Sequence, residues 1–189
     1  NGPPFPGNKM TLYDRGAAVP LIMRYPKKIS PGLQCNHLVN SIDVMPTVLD
    51  LANLPIPEGI QGQSLLPYLE NQEAPPIKDA IFLEMTSHYY YLPSRAVRTD
   101  KWKYIRNYSD IEVGLDQNEH MEWAQRVVEL PDQRWMSPRV PEELYCVEGD
   151  GEIPADPHEQ NNLAMDERYL DKLEEMRRLL DEHMQETDD

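Results

Sequence analysis

The chain opens inside a loop, and that constrains its fold more than any other feature. Asn1-Gly2-Pro3-Pro4-Phe5-Pro6-Gly7-Asn8-Lys9 runs straight into Leu12-Tyr13-Asp14-Arg15-Gly16 and the apolar stretch Val19-Pro20-Leu21-Ile22-Met23. There is no initiator Met, no charged leader and no signal-type apolar segment before it. A Gly/Pro-rich loop feeding a buried strand belongs to the inside of a domain. The expectation is therefore the C-terminal piece of a larger protein. Eighteen prolines in 189 residues favour short elements joined by many loops.

Three regions follow along the chain. In the first, Ala17 to Met23 reads as a strand buried on both faces. A helix fits Asp43 to Leu54, with Asp43 as N-cap, Pro46 in the first turn, and Val44, Val48, Leu49, Leu51 and Ala52 as its apolar side. Pro55-Ile56-Pro57-Glu58-Gly59 ends it. Leu65, Leu66, Tyr68 and Leu69 suggest a short helix, and Ala80-Ile81-Phe82-Leu83 another buried strand. Strand, helix, strand is the grammar of an α/β sheet.

The second region reads as antiparallel. Ala96-Val97-Arg98 and Trp102-Lys103-Tyr104-Ile105-Arg106 flank the turn Thr99-Asp100-Lys101, and Leu144-Tyr145-Cys146-Val147 is strand-like. A helix over Asp116 to about Leu130 has a capping-box spacing at Asp116 and Glu119. The third region is a loop, Gly149 to Asn162, then a helix from about Asp166 to Gln185. Its apolar residues Tyr169, Leu170, Leu173, Met176, Leu179, Leu180 and Met184 recur at helical spacing. The domain expectation is 1–92 as the end of an α/β domain and 93–189 as a small antiparallel subdomain closed by the terminal helix.

The net charge of −15 disfavours nucleic acid, which requires clustered Lys and Arg. From Asp156 to Asp189 twelve acids face four bases, so −8 of that charge lies on a solvated tail. No apolar run approaches the ~20 residues of a membrane helix. Cys35 and Cys146 are far apart and in no metal-ligand spacing; they read as ordinary thiols, with a disulfide the open alternative.

The residues alone give little chemistry. The sequence has no Gly-rich phosphate loop, no GxSxG elbow and no HExxH. The five histidines are scattered. His183 reads as a surface or packing residue and His158 as a brace for its loop. His88 sits just past a strand, where open α/β sheets bind ligands; it either lines a pocket or packs beside Tyr89-Tyr90-Tyr91. Lys9 and Asn1 lie in the loop entering the first strand. Lys9 is either a solvated charge or a point charge aimed at an anion.

Several segments together resemble the C-terminal part of a sulfatase, in the alkaline-phosphatase-like superfamily. Asn1 through Gly16 is similar to the family segment in which an Asp-Asn or Asp-His pair is followed by a loop, a Lys or Arg, and Leu-Tyr-x-x-Gly. Ser41 to Asp50 resembles the D-x-x-P-T-x-L-D helix, and Gly62-Gln63-Ser64-Leu65 the G-x-S-L after it. Arg95-Ala96-Val97-Arg98 through Lys103-Tyr104-Ile105 resembles the R-A-V-R…K-Y-I hairpin. Glu143-Leu144-Tyr145 and Asp156-Pro157-His158-Glu159-Gln160-Asn161-Asn162-Leu163-Ala164 resemble E-L-Y-D and D-P-x-E-x-x-N-L-A. The Pro-Phe-Pro loop and the Asp-Pro-His-Glu stretch are most similar to heparan N-sulfatase (sulfamidase)-type members. Cys146 replaces the usual Asp, Gly149 to Glu152 resembles an insertion, and Lys9 stands where the sulfamidase type tends to have Arg.

The resemblance implies a hydrolase of sulfate esters or N-sulfates, on a sugar, with a formylglycine nucleophile in front of a divalent metal, usually calcium. The nucleophile motif C/S-x-P/A-x-R is absent here, so nucleophile and most metal ligands would lie upstream and this chain alone would not turn over substrate. Carried over by position, Asn1 matches a metal ligand and Lys9 the cation that contacts sulfate; His88 is a pocket candidate from its place before the Arg95 hairpin. The partners implied are a sulfated saccharide and the rest of its own chain, in an exported, periplasmic or lysosomal setting. The alternatives are a phosphodiesterase or phosphonate monoester hydrolase of the same superfamily, and a non-catalytic binding module on the sulfatase scaffold. An isolated piece with a cut sheet edge is expected to self-associate.

Overall fold

A computed structural model describes residues 11–71, 73–87, 91–109 and 140–189. They form a mixed α/β structure in two compact units. One gathers the N-terminal segment up to Val19 with Phe82–Asp189, and the other is Pro20–Ile81.

The larger unit is built on a four-stranded sheet in the order β1-β2-β3-β4: β1 Ala80–Ser87, β2 Tyr91–Thr99, β3 Trp102–Asn107 and β4 Glu142–Cys146. The expected hairpin is present. β2 and β3 pair antiparallel with Arg98 opposite Lys103, and the Thr99 hydroxyl accepts from the Trp102 N–H across the turn (3.1 Å). β4 pairs antiparallel with β3, with Lys103 opposite Tyr145 and Ile105 opposite Glu143.

Because side chains alternate along a strand, this register sorts the residues onto two faces. One carries Arg95, Val97, Trp102, Tyr104, Arg106, Glu142 and Leu144. The terminal helix (Leu170–Thr187, α4 below) packs against β2 and β3 and buries Leu173, Met176 and Leu180. Asp166 accepts from the Arg168 N–H at the 3-10 turn Glu167–Tyr169 that leads into this helix. The opposite face carries Ala96, Arg98, Lys103, Ile105, Glu143 and Tyr145. There Leu12 joins Ala96, Ile105, Tyr145 and Val147 in a core cluster, and the one-turn helix α1 (Asp14–Ala17) follows directly.

The smaller unit holds a 3-10 turn (Ser41–Asp43) leading into α2 (Val44–Leu51), then α3 (Leu66–Glu70). Asp43 is fully buried. Its carboxylate accepts from the Asn40 N–H (2.7 Å), the Gln63 N–H (2.9 Å) and the Lys78 ammonium (2.6 Å). Thr47, one turn later, accepts from the Leu65 N–H at 2.9 Å. Gly62 runs so close to this helix that an added Cβ would lie 2.0 Å from the Ile42 carbonyl oxygen, so only glycine fits. The D-x-x-P-T and G-x-S-L segments are thus two halves of one clamp. Leu65, Tyr68 and Ala74 form the small core beside it.

Three expectations about elements are corrected. Residues 18–23 form no strand: Pro20 cannot donate to a ladder, no strand lies alongside among the described residues, and Val19, Leu21 and Ile22 are exposed. α2 turns Pro46 and Thr47 inward while Val48 is exposed, because the Asp43–Thr47 side, not the apolar one, holds the Gln63–Leu65 loop. β1 is an edge strand and only half-buried, since it has a neighbour on one side alone. The helix expected over Asp116 to Leu130 lies outside the described residues. Among those described, no helix is long and apolar enough to cross a membrane.

Candidate functional site

Asn1, Lys9 and His88 all lie outside the described residues. What is described is the mooring of the segment that follows Lys9. Leu12 is buried in the sheet core, and the Tyr13 hydroxyl donates to Glu143 Oε2 at 2.7 Å. The Asp14 N–H donates to Glu159 Oε2 at 2.7 Å, and the Asp14 carboxylate accepts from the Lys103 ammonium at 2.7 Å. Lys103 also pairs with Glu159 Oε1 at 3.0 Å, and Arg98 Nε stands 3.6 Å from Asp14 Oδ2.

The burial is extreme for charged groups. The Lys103 side chain is 0% exposed and that of Glu159 1%. Two cations, Lys103 and Arg98, meet two carboxylates, Asp14 and Glu159, so the cluster is balanced. Burial pushes the Glu159 carboxyl above its usual range, against the opposing pull of Lys103. Next to it, Glu143 accepts from the hydroxyls of Tyr13 and Tyr145 (2.5 Å) and from Asn107 Nδ2 (2.9 Å). Desolvation, followed by the Glu143 charge, drives the Tyr145 phenol well above its ordinary value, so it stays a donor.

The loop after β4 explains how Glu159 arrives there. Asp156 accepts the Gln160 and Asn161 N–H groups (2.8 Å each at Oδ2), and its carbonyl accepts the Glu159 N–H. This tight turn holds Glu159 at φ 53°, a left-handed conformation uncommon for a non-glycine residue. His158, expected to brace the loop, is exposed, and the residue beside it does the bracing. His183 stacks on Phe82 with ring centroids 3.7 Å apart, which fits a packing role. Cys35 is exposed and Cys146 buried, both free.

Sequence reasoning quoted Lys103 and Glu159 only as letters of motifs. The available signal was a Lys on the same strand face as Ile105, and a Glu following a Pro-His turn. Neither reveals a pair joined across some fifty residues. As chemistry, the cluster is a fixed mooring: the Asp14 carboxylate faces Lys103 and Arg98, and the Glu159 carboxylate faces Lys103 and the Asp14 N–H. No group of three or more His, Cys, Asp or Glu among the described residues could hold a metal ion.

A family model described as "N-sulphoglucosamine sulphohydrolase, C-terminal" matches residues 7–148, which is most of the chain. The chain belongs to this family. It spans the hairpin, β4 and the Asp43 clamp described above. An ulvan-active sulfatase of Formosa agariphila is 32% identical over 85% of this chain and 32% of its own length. An N-acetylglucosamine-6-O-sulfatase of Bacteroides thetaiotaomicron is 30% identical over 96% of this chain and 27% of its own length. A solved structure in complex with its substrate, D-glucosamine-2-N,6-O-disulfate, superposes with a TM-score of 0.62 and 27% identity, covering 86% of this chain and 27% of that one. The chain thus spans about a third or less of the relatives it matches, and it is a sulfatase C-terminal domain in an α/β fold.

Proposed function

We propose that this chain is the C-terminal segment of a sulfatase that removes sulfate from a sugar. The observation that carries the proposal is the family match over residues 7–148, together with the likeness to an ulvan-active sulfatase and an N-acetylglucosamine-6-O-sulfatase. In this reading Lys9 contacts the sulfate, His88 lines the sugar pocket, and Asn1 offers its side-chain oxygen to a divalent metal. In this reading the other ligands come from the preceding part of the protein. A hard amide oxygen suits calcium.

As the bond from sulfur to the leaving oxygen breaks, negative charge accumulates on the oxygens. A Lys9 ammonium at the sulfate would stabilise that change more than it stabilises the ground state. A bound metal and an upstream formylglycine would supply electrostatic stabilisation and the nucleophile. What this chain contributes is the placement of a cation and the shape of the sugar site.

The test is the full-length protein, produced with a formylglycine-generating enzyme, and assayed for sulfate release from D-glucosamine-2-N,6-O-disulfate, N-acetylglucosamine-6-sulfate and sulfated polysaccharide fragments. A phosphonate monoester and a phosphodiester serve as contrasts. Sulfate release from a sugar, lost in Lys9→Ala, supports the reading. Faster cleavage of the phosphonate or phosphodiester would replace it with the phosphohydrolase alternative. No turnover of any probe, with no formylglycine in the upstream peptide, would favour the binding-module reading.

A further inference from the structure

The helix α2 is built inside out. Its buried side is polar: Asp43 and Thr47 are fully buried and hold the Gln63–Leu65 loop. Its open side is apolar: Ile42, Met45 and Val48, spaced by three, are 47%, 60% and 56% exposed. The clamp prevents the helix from turning that stripe inward. No charge breaks the stripe either, because the only charged residues of this stretch, Asp43 and Asp50, are tied to Lys78 and to the Ser64 hydroxyl at 2.6 Å each.

The same unit has a second open feature. Leu21 and Ile22 are exposed, Ile22 at 90%, and the backbone groups of Leu21, Ile22 and Met23 make no hydrogen bond among the described residues. Met23 packs on the core of Leu65, Tyr68 and Ala74, and the Leu65 N–H is held by Thr47, so both features hang on one small core. Apolar side chains beside unbonded backbone are what a strand shows when its neighbours lie elsewhere. Pro20 stands just before this segment, a place where a strand tolerates it.

We propose that the unit Pro20–Ile81 joins a β-sheet supplied by the part of the protein that precedes this chain, with Leu21–Met23 extending the sheet and the Ile42–Met45–Val48 stripe of α2 lying over its face. A strand added through its backbone and a helix covering the face with an apolar stripe are the two attachments an α/β sheet offers. Size points to this occupant. The chain spans about a third or less of the relatives it matches, and the family model is described as C-terminal, so in them most of the sequence precedes the matched part. Covalent linkage gives that part an effective concentration that a separate molecule does not reach. Three side chains and a short strand also fall short of the roughly 800 Å² per partner that a stable dimer needs.

The test uses the full-length protein of parental sequence. Met45 oxidation by dilute hydrogen peroxide and amide hydrogen exchange over Leu21–Met23 are read by mass spectrometry, native and in denaturant, beside sedimentation. In the monomer, Met45 is expected to oxidise at least about 10-fold slower than in denaturant, because a thioether under a sheet is closed to solvent. At least one amide of Leu21–Met23 should exchange about 100-fold or more slower than unfolded chain. Met45 oxidising as fast as in denaturant, or all three amides exchanging at the unfolded rate, overturns the proposal. Protection seen only in a dimer, and lost on dilution to monomer, assigns the face to a second copy and overturns it as well. Met45→Glu, which puts a charge under the sheet, should lower Tm, and an unchanged Tm counts equally against the docking. None of these readouts depends on turnover, so they stand apart from the activity reading.

Discussion

The two faces of the sheet solve the same burial problem with opposite chemistry. On one, α4 lays Leu173, Met176 and Leu180 onto the strands and keeps its charges at the rim. There Arg177 Nε reaches Glu142 at 2.7 Å, Arg106 reaches Asp181 at 2.5 Å, and Lys172 stands over the Trp102 ring. On the other face the cover is a short segment, and the charges sit in the middle: Lys103, Glu159 and Glu143 are all buried. An apolar stripe tolerates small slips along a helix axis. A buried ion pair does not, because a slip strands a charge in a medium that cannot solvate it. The difference teaches which face needs stability and which needs a defined path.

The largest way to break that contrast is to strip the charge from the second face. Lys103→Met leaves the buried Glu159 carboxylate without its ammonium, beside the half-buried Asp14 carboxylate, and should cost about 3–5 kcal/mol by denaturant unfolding of the full-length protein. A loss under about 1 kcal/mol would mean that the cluster is as dispensable as a surface pair. Replacing Lys103 and Glu159 together by apolar residues should recover much of that stability. On the helix face, Met176→Ala removes a fully buried side chain and should cost about 2–5 kcal/mol, without a specific effect on kcat/KM. A loss there below about 1 kcal/mol would mean that the apolar stripe does not hold the helix to the sheet.

The helix face was legible in the sequence and the other was not, for a physical reason. Leu173, Met176 and Leu180 recur at helical spacing, and the Thr99-Asp100-Lys101 turn announces the β2–β3 hairpin; both signals are local. Lys103 and Asp14 are 89 residues apart, and Glu159 lies beyond both. A buried Lys looks in sequence like any exposed Lys on a strand, and only the covering segment makes it otherwise. The strand expected over 17–23 failed for a related reason, since its burial depends on neighbours that local pattern does not contain. Asn1 and Lys9 take their roles only from resemblance, and His88 takes its role from its place just past a strand and before the Arg95 hairpin. The Asp43–Gly62 clamp shows that part of the resemblance is structural: those motif residues hold a helix to a loop.

Acid should separate the faces with opposite signs. The hydrogen bond from Arg177 holds the Glu142 carboxyl below the usual range, so its contribution is present above the unfolded value of about 4.3 and lost as pH falls through the folded value. Burial holds the Glu159 carboxyl above that range, so its contribution is full below about 4.3 and lost as pH rises through its folded value. The Tm gap between the parent and Glu142→Gln should therefore close below about pH 4.3. The gap between the parent and Glu159→Gln should widen there. Parallel curves would show that the two carboxylates share one environment, and the contrast between the faces would fall with them.

The smallest effect sharpens the comparison from the solvent side. Arg178 and Glu182, one turn apart on α4 and 2.8 Å from each other, are both well exposed. Water and salt screen such a pair, and the two long side chains lose rotamer freedom when they meet. Arg178→Ala should therefore cost no more than about 0.3–0.5 kcal/mol, and that small loss should vanish in high salt. Lys103→Met should keep nearly all of its effect in the same salt, because counterions do not reach a fully buried ammonium. If both variants lost their effect together, water would have access to the Lys103 cluster, and its hold on Asp14 would be no firmer than that of a surface pair.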